Sequence, residues 1–258
     1  MRLHCQDVGV DFAGSQGVVP ALRGVTFEVR DREFVSIVGP TGCGKTTLLK
    51  ALAGLRAPTR GTIQRIPEPR DARPETALVF QDHGLFPWLT IVDNVAFGLE
   101  ARGTPRADRR RRAEEILETF ALGAFARAYP HQLSVGMRQK AALARALLLD
   151  PQALLLDEPF ASVDFQTRLL LHEELLRIWT GSRRTVVFVT HDLEEAVLLA
   201  DRVVVLTGRP ARVREEIEIP LARPRRLEDA GRREADEIKW RIWRILEHEA
   251  RLRLAESA

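Results

Sequence analysis

The sequence predicts an α/β protein: a mostly parallel sheet with helices on both faces, an antiparallel β piece in front of it and a helical insertion within it. Three observations carry this prediction. Short apolar, β-branched runs bounded by turn or polar residues recur along the chain, as buried strands do. Helical patterns separate several of these runs, and strands alternating with helices build a parallel sheet covered on both faces. One stretch, about residues 83–150, carries helix signal and little strand.

Taken in order, the first 30 residues, with Phe12 and a small-residue turn at Gly14 to Gly17, read as antiparallel strands, the second ending in Gly24 to Val29. Phe34 to Val38 is the first core strand, and Gly44 to Leu55 follows it as a helix. Ala77 to Phe80 is a second strand. The insertion holds helices at Arg106 to Phe120 and Ser134 to Leu149. Strands at Ala153 to Leu156, Thr185 to Val189 and Arg202 to Leu206 then alternate with helices at Phe165 to Thr180 and Leu193 to Ala200. No internal repeat is present.

The tail from Arg232 to Leu254 sets Ile238, Ile242, Ile245 and Leu246 at helical spacing, with Lys239, Arg241, Arg244, Arg251 and Arg253 around them. Such a basic amphipathic helix is expected to pack on its own domain, a membrane-surface or regulatory helix being the alternative. The run Arg109 to Arg112 is expected to be a solvated face, because positive charges near a helix start oppose its dipole.

The chain has 258 residues, 45% hydrophobic and 29% charged, which excludes collagen-like, low-complexity and wholly disordered classes. No run approaches 18 apolar residues, so no membrane-crossing helix is expected. Met1 to Phe12 has no apolar core of a secretory signal. Two cysteines, Cys5 and Cys43, cannot form a disulfide framework, and a reducing compartment, the cytoplasm, is expected. With 39 basic against 36 acidic residues the net charge is +3, so nothing calls for nucleic acid as a partner. Only four of the basic residues are lysines, and Lys45 stands in the most informative segment.

That segment, Gly39-Pro40-Thr41-Gly42-Cys43-Gly44-Lys45-Thr46, fits G-x-x-x-x-G-K-[ST] and lies between a strand and a helix, the context the motif requires. The glycines let backbone N–H groups turn inward around a β-phosphate, and the helix N-terminus adds its partial positive charge. Lys45 reaches the β- and γ-phosphates, the Thr46 hydroxyl suits Mg²⁺, and Thr47 is placed for the α-phosphate. Cys43 reads as a small neutral filler. The ligand of such a loop is a nucleoside triphosphate, and the fold becomes a P-loop NTPase core. The strand Ala153 to Leu156 runs into Asp157 and Glu158: Asp157 suits a second contact to Mg²⁺, and Glu158 suits a base for an attacking water.

With these motifs in place the sequence resembles the ATP-binding subunit of ABC transporters. Leu133-Ser134-Val135-Gly136-Met137-Arg138-Gln139 is similar to the family's signature motif, Gln81 stands at the Q-loop glutamine, Ala161-Ser162-Val163-Asp164 resembles the D-loop, and His191 matches the switch histidine. Phe12 resembles the aromatic that stacks on adenine. The segments Phe80 to Phe97 and His191 to Leu206 are similar to importers of the nitrate, sulfonate and taurine group. The resemblance covers about Arg2 to Pro220, which sets residues 1–220 as the ATPase domain and 221–258 as a C-terminal extension.

The resemblance implies a head-to-tail pair of subunits sandwiching two ATP, with Mg²⁺ held by Thr46, Gln81 and Asp157. Ser134 and Gly136 then grip the γ-phosphate of the opposite subunit's ATP, Gln81 senses Mg²⁺ and the attacking water, His191 holds the γ-phosphate, and Asp164 reports across the interface. It implies transmembrane permease subunits as partners, whose cytoplasmic coupling helices dock near Phe86, Pro87 and Trp88, and indirectly an extracytoplasmic substrate-binding protein. One departure stands out: the family's signature has two glycines, and the first is Val135 here. A soluble ABC protein outside transport would carry a stronger basic bias or a coiled-coil insertion. A nucleotide-binding regulatory subunit would bind ATP without turnover.

Overall fold

A computed structural model describes residues 1–14, 17–67, 73–182, 184–223, 225 and 233–256. β1 (Arg2–Gly14) runs antiparallel to β2 (Gly17–Val29), and β4 (Arg60–Ile66) pairs antiparallel with the other edge of β1. The expected front piece is therefore a three-stranded antiparallel sheet; Ser15 and Gln16 of its turn lie outside the described residues.

The second sheet has six strands in the order β5 (Thr76–Val79), β6 (Ala153–Asp157), β7 (Thr185–Val189), β3 (Phe34–Val38), β8 (Arg202–Leu206) and β9 (Val213–Glu218). All neighbours are parallel except β8 and β9. Every residue of β3, β6, β7 and β8 is buried, which is why these strands read as unbroken apolar runs instead of alternating ones. β4 and β9 gave no apolar run because they are edge strands whose charged side chains face water, as in Val213-Arg-Glu-Glu-Ile-Glu218.

Two cores result. One lies between the antiparallel sheet, α1 (Lys45–Leu52) and one face of the parallel sheet, and includes Leu3, Val25, Ile37, Leu48 and Val204. The other joins the opposite face of that sheet to the remaining helices, around Phe34, Phe160 and Phe188. These helices are α2 (Ile91–Ala101), α3 (Arg106–Thr119), α4 (Val135–Leu148), α5 (Phe165–Ser182) and α6 (Leu193–Leu199). On α3, Arg111 is paired with Asp108 and Glu115 one turn away on either side, so neighbouring acids offset the basic run.

The tail forms α7 (Arg233–Glu256); Arg232 lies outside the described residues. Ala235 and Ile242 are fully buried, and Ile238, Ile245 and Leu246 pack beside them against the second core, so the helix lies on its own domain. Among the described residues no helix is long and apolar enough to cross a membrane.

Candidate active site

The ends of β3, β6 and β7 are adjacent in the sheet, so the segments that follow them converge. From β3 the chain turns through Gly39 to Gly44 into α1. Gly44 adopts φ +128°, and a Cβ there would approach the Ala21 carbonyl oxygen to 3.0 Å, so both backbone and space require glycine. Cys43 is fully buried beneath the loop, as a filler would be. Lys45 is 6% exposed, and its Nζ donates to the Gly39 carbonyl at 2.9 Å and the Pro40 carbonyl at 3.3 Å. The ammonium thus lies against the carbonyls of the loop it closes.

The Thr46 hydroxyl donates to Asp157 Oδ1 at 3.0 Å, joining α1 to the end of β6. Burial pushes the Asp157 carboxyl up, against the pull of the Thr46 hydrogen bond. This carboxylate and hydroxyl are hard oxygen donors of the type Mg²⁺ takes, and the carboxylate's burial is relieved by a cation, so the pair fits the ion. Among the described residues no group of three His, Cys, Asp or Glu side chains that could hold a metal ion occurs.

Glu158 has φ +44°, a left-handed conformation costly for a glutamate, and its N–H donates to the Val189 carbonyl at 2.9 Å. That bond fixes the turn to the end of β7. Its carboxylate meets His191 Nδ1 at 3.1 Å and lies 3.9 Å from the Lys45 ammonium. Glu158 therefore sits between the loop lysine and the histidine, both in reach of one small ligand group.

A cavity of about 360 Å³ opens beside these groups, lined by Thr41, Gly42, Gly44, Lys45, Thr46, Thr47 and Glu158 together with Phe12, Ala21 and Arg209. Arg56, which does not line it, places its guanidinium 4.3 Å from the centre of the Phe12 ring. Ala21 and Arg209 were not legible as site residues: they arrive from β2 and from the β8–β9 loop by tertiary packing, with no sequence motif around them.

The structure does not bring the other candidates into this cavity. Gln81 is exposed and leaves β5 two residues beyond Val79, which pairs with Leu156, so it emerges alongside Glu158 without a hydrogen bond to it. The loop after it is held by Arg145 of α4, which donates to the His83 and Gly84 carbonyls at 3.0 and 2.6 Å. Ser134 caps α4, its hydroxyl accepting from the Met137 N–H at 3.2 Å. Gly136 is buried against α5; a Cβ there would stand 2.5 Å from Thr167 Cγ2. Asp164 caps α5 by accepting from the Thr167 N–H at 3.0 Å, and that bond holds its carboxyl below the usual range. Ser134 and Asp164 are thus helix caps, and none of Ser134, Gly136 and Asp164 lines the cavity of their own chain.

Behind His191 lies a buried polar chain that sequence reasoning missed. Thr190 donates to Glu195 Oε2 at 2.6 Å, and His172 Nε2 lies 3.0 Å from Glu195 Oε1. On the same face of α5, Arg168 reaches both Asp192 at 3.4 Å and the Val163 carbonyl at 3.1 Å.

A sheet of this topology, carrying a glycine-lined phosphate loop whose Thr–Asp pair faces a Glu–His pair, defines a nucleotide-hydrolysing cassette. The chain belongs to the ABC transporter family: residues 22–161 match the family model described as ABC transporter. It is an ATP-binding protein and an ATPase. It is 45% identical over 226 residues to an uncharacterised ABC transporter ATP-binding protein of Methanocaldococcus jannaschii, covering 87% of this chain and 85% of that one. Identity to the nitrate import ATP-binding protein NrtD of Synechocystis is 43% over 225 residues (86% and 84% covered). To the aliphatic sulfonates import ATP-binding protein SsuB of Bacillus cereus it is 40% over 229 residues (87% and 89%). Among solved structures, a dimeric ATP-binding cassette in a post-hydrolysis state with ADP and Pi matches with a TM-score of 0.75 at 30% identity, covering 85% of this chain and all of that one.

Proposed function

We propose that this chain is the ATP-hydrolysing subunit of an importer, peripheral on the cytoplasmic face of the inner membrane, and that its cargo is a small anion such as nitrate, a sulfonate or taurine. The observation that carries the reaction is the placement of Glu158 between His191, at 3.1 Å, and Lys45, at 3.9 Å, beside the cavity of about 360 Å³. The printed functions of the nitrate and sulfonate relatives support the cargo class.

In this reading the backbone N–H groups of Gly39 to Thr46 hold the β-phosphate, Lys45 exchanges its carbonyl partners for β- and γ-phosphate oxygens, and Thr47 meets the α-phosphate. Thr46 and Asp157, with Gln81 from the neighbouring strand, hold Mg²⁺, which supplies charge neutralisation to the phosphates when bound. Glu158 accepts the proton of a water whose oxygen bonds to the γ-phosphorus as the bond to the ADP oxygen breaks. His191 orients Glu158 and holds the γ-phosphate. The left-handed turn at Glu158, pinned to Val189, keeps the carboxylate aimed there without rearrangement.

Ser134, Gly136 and Asp164 lie outside the cavity of their own chain, so their use as phosphate and interface groups requires a second copy, head to tail. A dimeric cassette among the solved relatives supports this arrangement. The permease docks on the loop at Phe86 and Trp88. Trp88 is 71% exposed, and its ring lies 5.6 Å from that of Phe86, which in turn packs against Phe97 at 4.6 Å. Asn94, fully buried, ties this loop to α2 through hydrogen bonds with Phe86, Leu89 and Thr90. An aromatic patch on a rigid loop is what a partner helix needs.

The test uses tagged Glu158→Gln, which keeps the shape of the site and removes the base; turnover should fall by about 10²- to 10⁴-fold. Incubated with MgATP in detergent-solubilised membranes of the source cell and purified, it should carry a multi-span permease, identified by mass spectrometry. Recovery of the chain alone, or with ribosomal or DNA-bound proteins, overturns the transport reading. Normal hydrolysis by the variant overturns the role of Glu158.

A further inference from the structure

We propose that Arg209 is a further nucleotide-binding residue, donating to the base and ribose end of ATP, and that the C-terminal helix α7 holds it in place through Glu249. The proposal rests on the nucleotide reading of the cavity and adds a wall to it that no motif supplies.

The placement follows from the sheet. Phe12 pairs with Val19, and the next pair is Asp11 with Pro20. Arg209 Nε donates to the Pro20 carbonyl at 3.2 Å, so its side chain lines the cavity beside the strand pair that carries Phe12. An arginine carries five donors and no acceptor. One is used on Pro20, and among the described residues no carboxylate forms an ion pair with the rest. The ribose oxygens and ring nitrogens of a nucleoside are neutral acceptors suited to such a group.

The loop bearing Arg209 is fastened at both flanks. The Ala211 N–H donates to the Ala21 carbonyl at 2.9 Å and the Arg23 N–H donates to the Ala211 carbonyl at 3.0 Å, docking the loop on β2. The Arg212 N–H donates to the Thr207 hydroxyl at 2.9 Å, closing the turn. On the other side, Glu249 Oε2 of α7 accepts from the Gly208 N–H at 3.3 Å, while Oε1 lies 3.7 Å from Arg214 Nε. Glu249 binds the residue next to Arg209, and its side chain is only 11% exposed, so its geometry is fixed by the packing of the helix. Arg209 acts by contact with the nucleotide, and Glu249 is a positioning residue.

The test measures dissociation constants of MgATP and of inorganic tripolyphosphate for the full chain, in a Glu158→Gln background that prevents turnover. Arg209→Ala should weaken MgATP by about 3- to 15-fold, the range of one hydrogen bond, and leave tripolyphosphate within about twofold. Glu249→Ala should weaken MgATP by a smaller factor, and the double variant should be no weaker than Arg209→Ala alone, since both act through one contact. Unchanged thermal melting without ligand separates these effects from loss of fold. MgATP binding unaffected by Arg209→Ala overturns the proposal, as does equal weakening of tripolyphosphate, which would put the guanidinium at the phosphate end. Additive loss in the double variant overturns the link to α7. If the unsubstituted site binds neither probe, it is the nucleotide reading that has failed.

Discussion

Replacing Glu195 by methionine isolates the buried chain behind His191. Glu195, 4% exposed, accepts from Thr190 at 2.6 Å and faces His172 Nε2 at 3.0 Å, and these partners are 2% and 4% exposed. With Glu195 a carboxylate, Nε2 is the donor. Methionine fills most of the volume but strands two buried donors, each costing about 1 to 3 kcal/mol, so stability should fall by about 2 to 6 kcal/mol. That is a large part of the about 5 to 15 kcal/mol a domain has. If the orphaned donors are the cause, removing the one on His172 restores part of the stability. Glu195→Met with His172→Leu should cost about 1 to 3 kcal/mol less than the sum of the two single changes, because replacing both partners by apolar groups is close to neutral. Urea unfolding followed by circular dichroism gives the three values. Because Thr190 precedes His191, ATP turnover of the folded single variant should fall with nucleotide binding retained. Additivity within about 0.5 kcal/mol would refute the reasoning, since it would show that the side chains do not act as a unit.

Two other expectations follow from burial and exposure. Burial pushes the Cys5 thiol from 9.0 up to about 12, so the native chain should leave Cys5 unalkylated by iodoacetamide at pH 8 and label it after unfolding, read by mass spectrometry. The folded state holds that proton more tightly than the unfolded one, so this contribution to stability is complete below pH 9 and is lost as the pH climbs toward 12; urea midpoints should drop across that window. Trp88→Ser removes a 71% exposed ring, so the melting temperature of the isolated chain should hold, while recovery of the permease with the Glu158→Gln protein should drop at least tenfold; unchanged recovery would move the docking surface elsewhere.

The legible parts of this chain are those in which local chemistry and final position coincide. β3, β6, β7 and β8 are buried on both faces, so their apolar runs announced themselves, and Gly39 to Thr46 is a motif contiguous in sequence that sits between its own strand and helix. Asp157 and Glu158 were visible because a buried strand ran directly into adjacent acids. β4 and β9 were invisible because half of each faces water and carries charge. Arg209, Ala21 and the His172–Glu195–Thr190 chain were invisible for a different reason: each owes its place to contacts between elements far apart in sequence, such as the Pro20 carbonyl for Arg209 or α5 against α6 for His172. A single sequence records such pairings nowhere.

Val135, where the family's signature has glycine, bears on how two copies close over ATP. It is the first residue of α4, in helical backbone that valine adopts without strain, and its half-buried side chain packs against the second core. The groups that face a phosphate at a helix start are backbone N–H donors. Here the Met137 N–H is bound by the Ser134 hydroxyl, which leaves those of Val135 and Gly136 to point outward. In the proposed head-to-tail pair the valine side chain should therefore leave the trans contact intact, and Val135→Gly should act mainly by loosening its packing on the core and the start of the helix, by about 1 to 2 kcal/mol. In the Glu158→Gln background, MgATP-driven dimerisation measured by sedimentation should stay within about threefold of the unsubstituted signature. A tenfold or greater tightening on Val135→Gly would show that the side chain obstructs closure, and would make this position a brake on the ATPase.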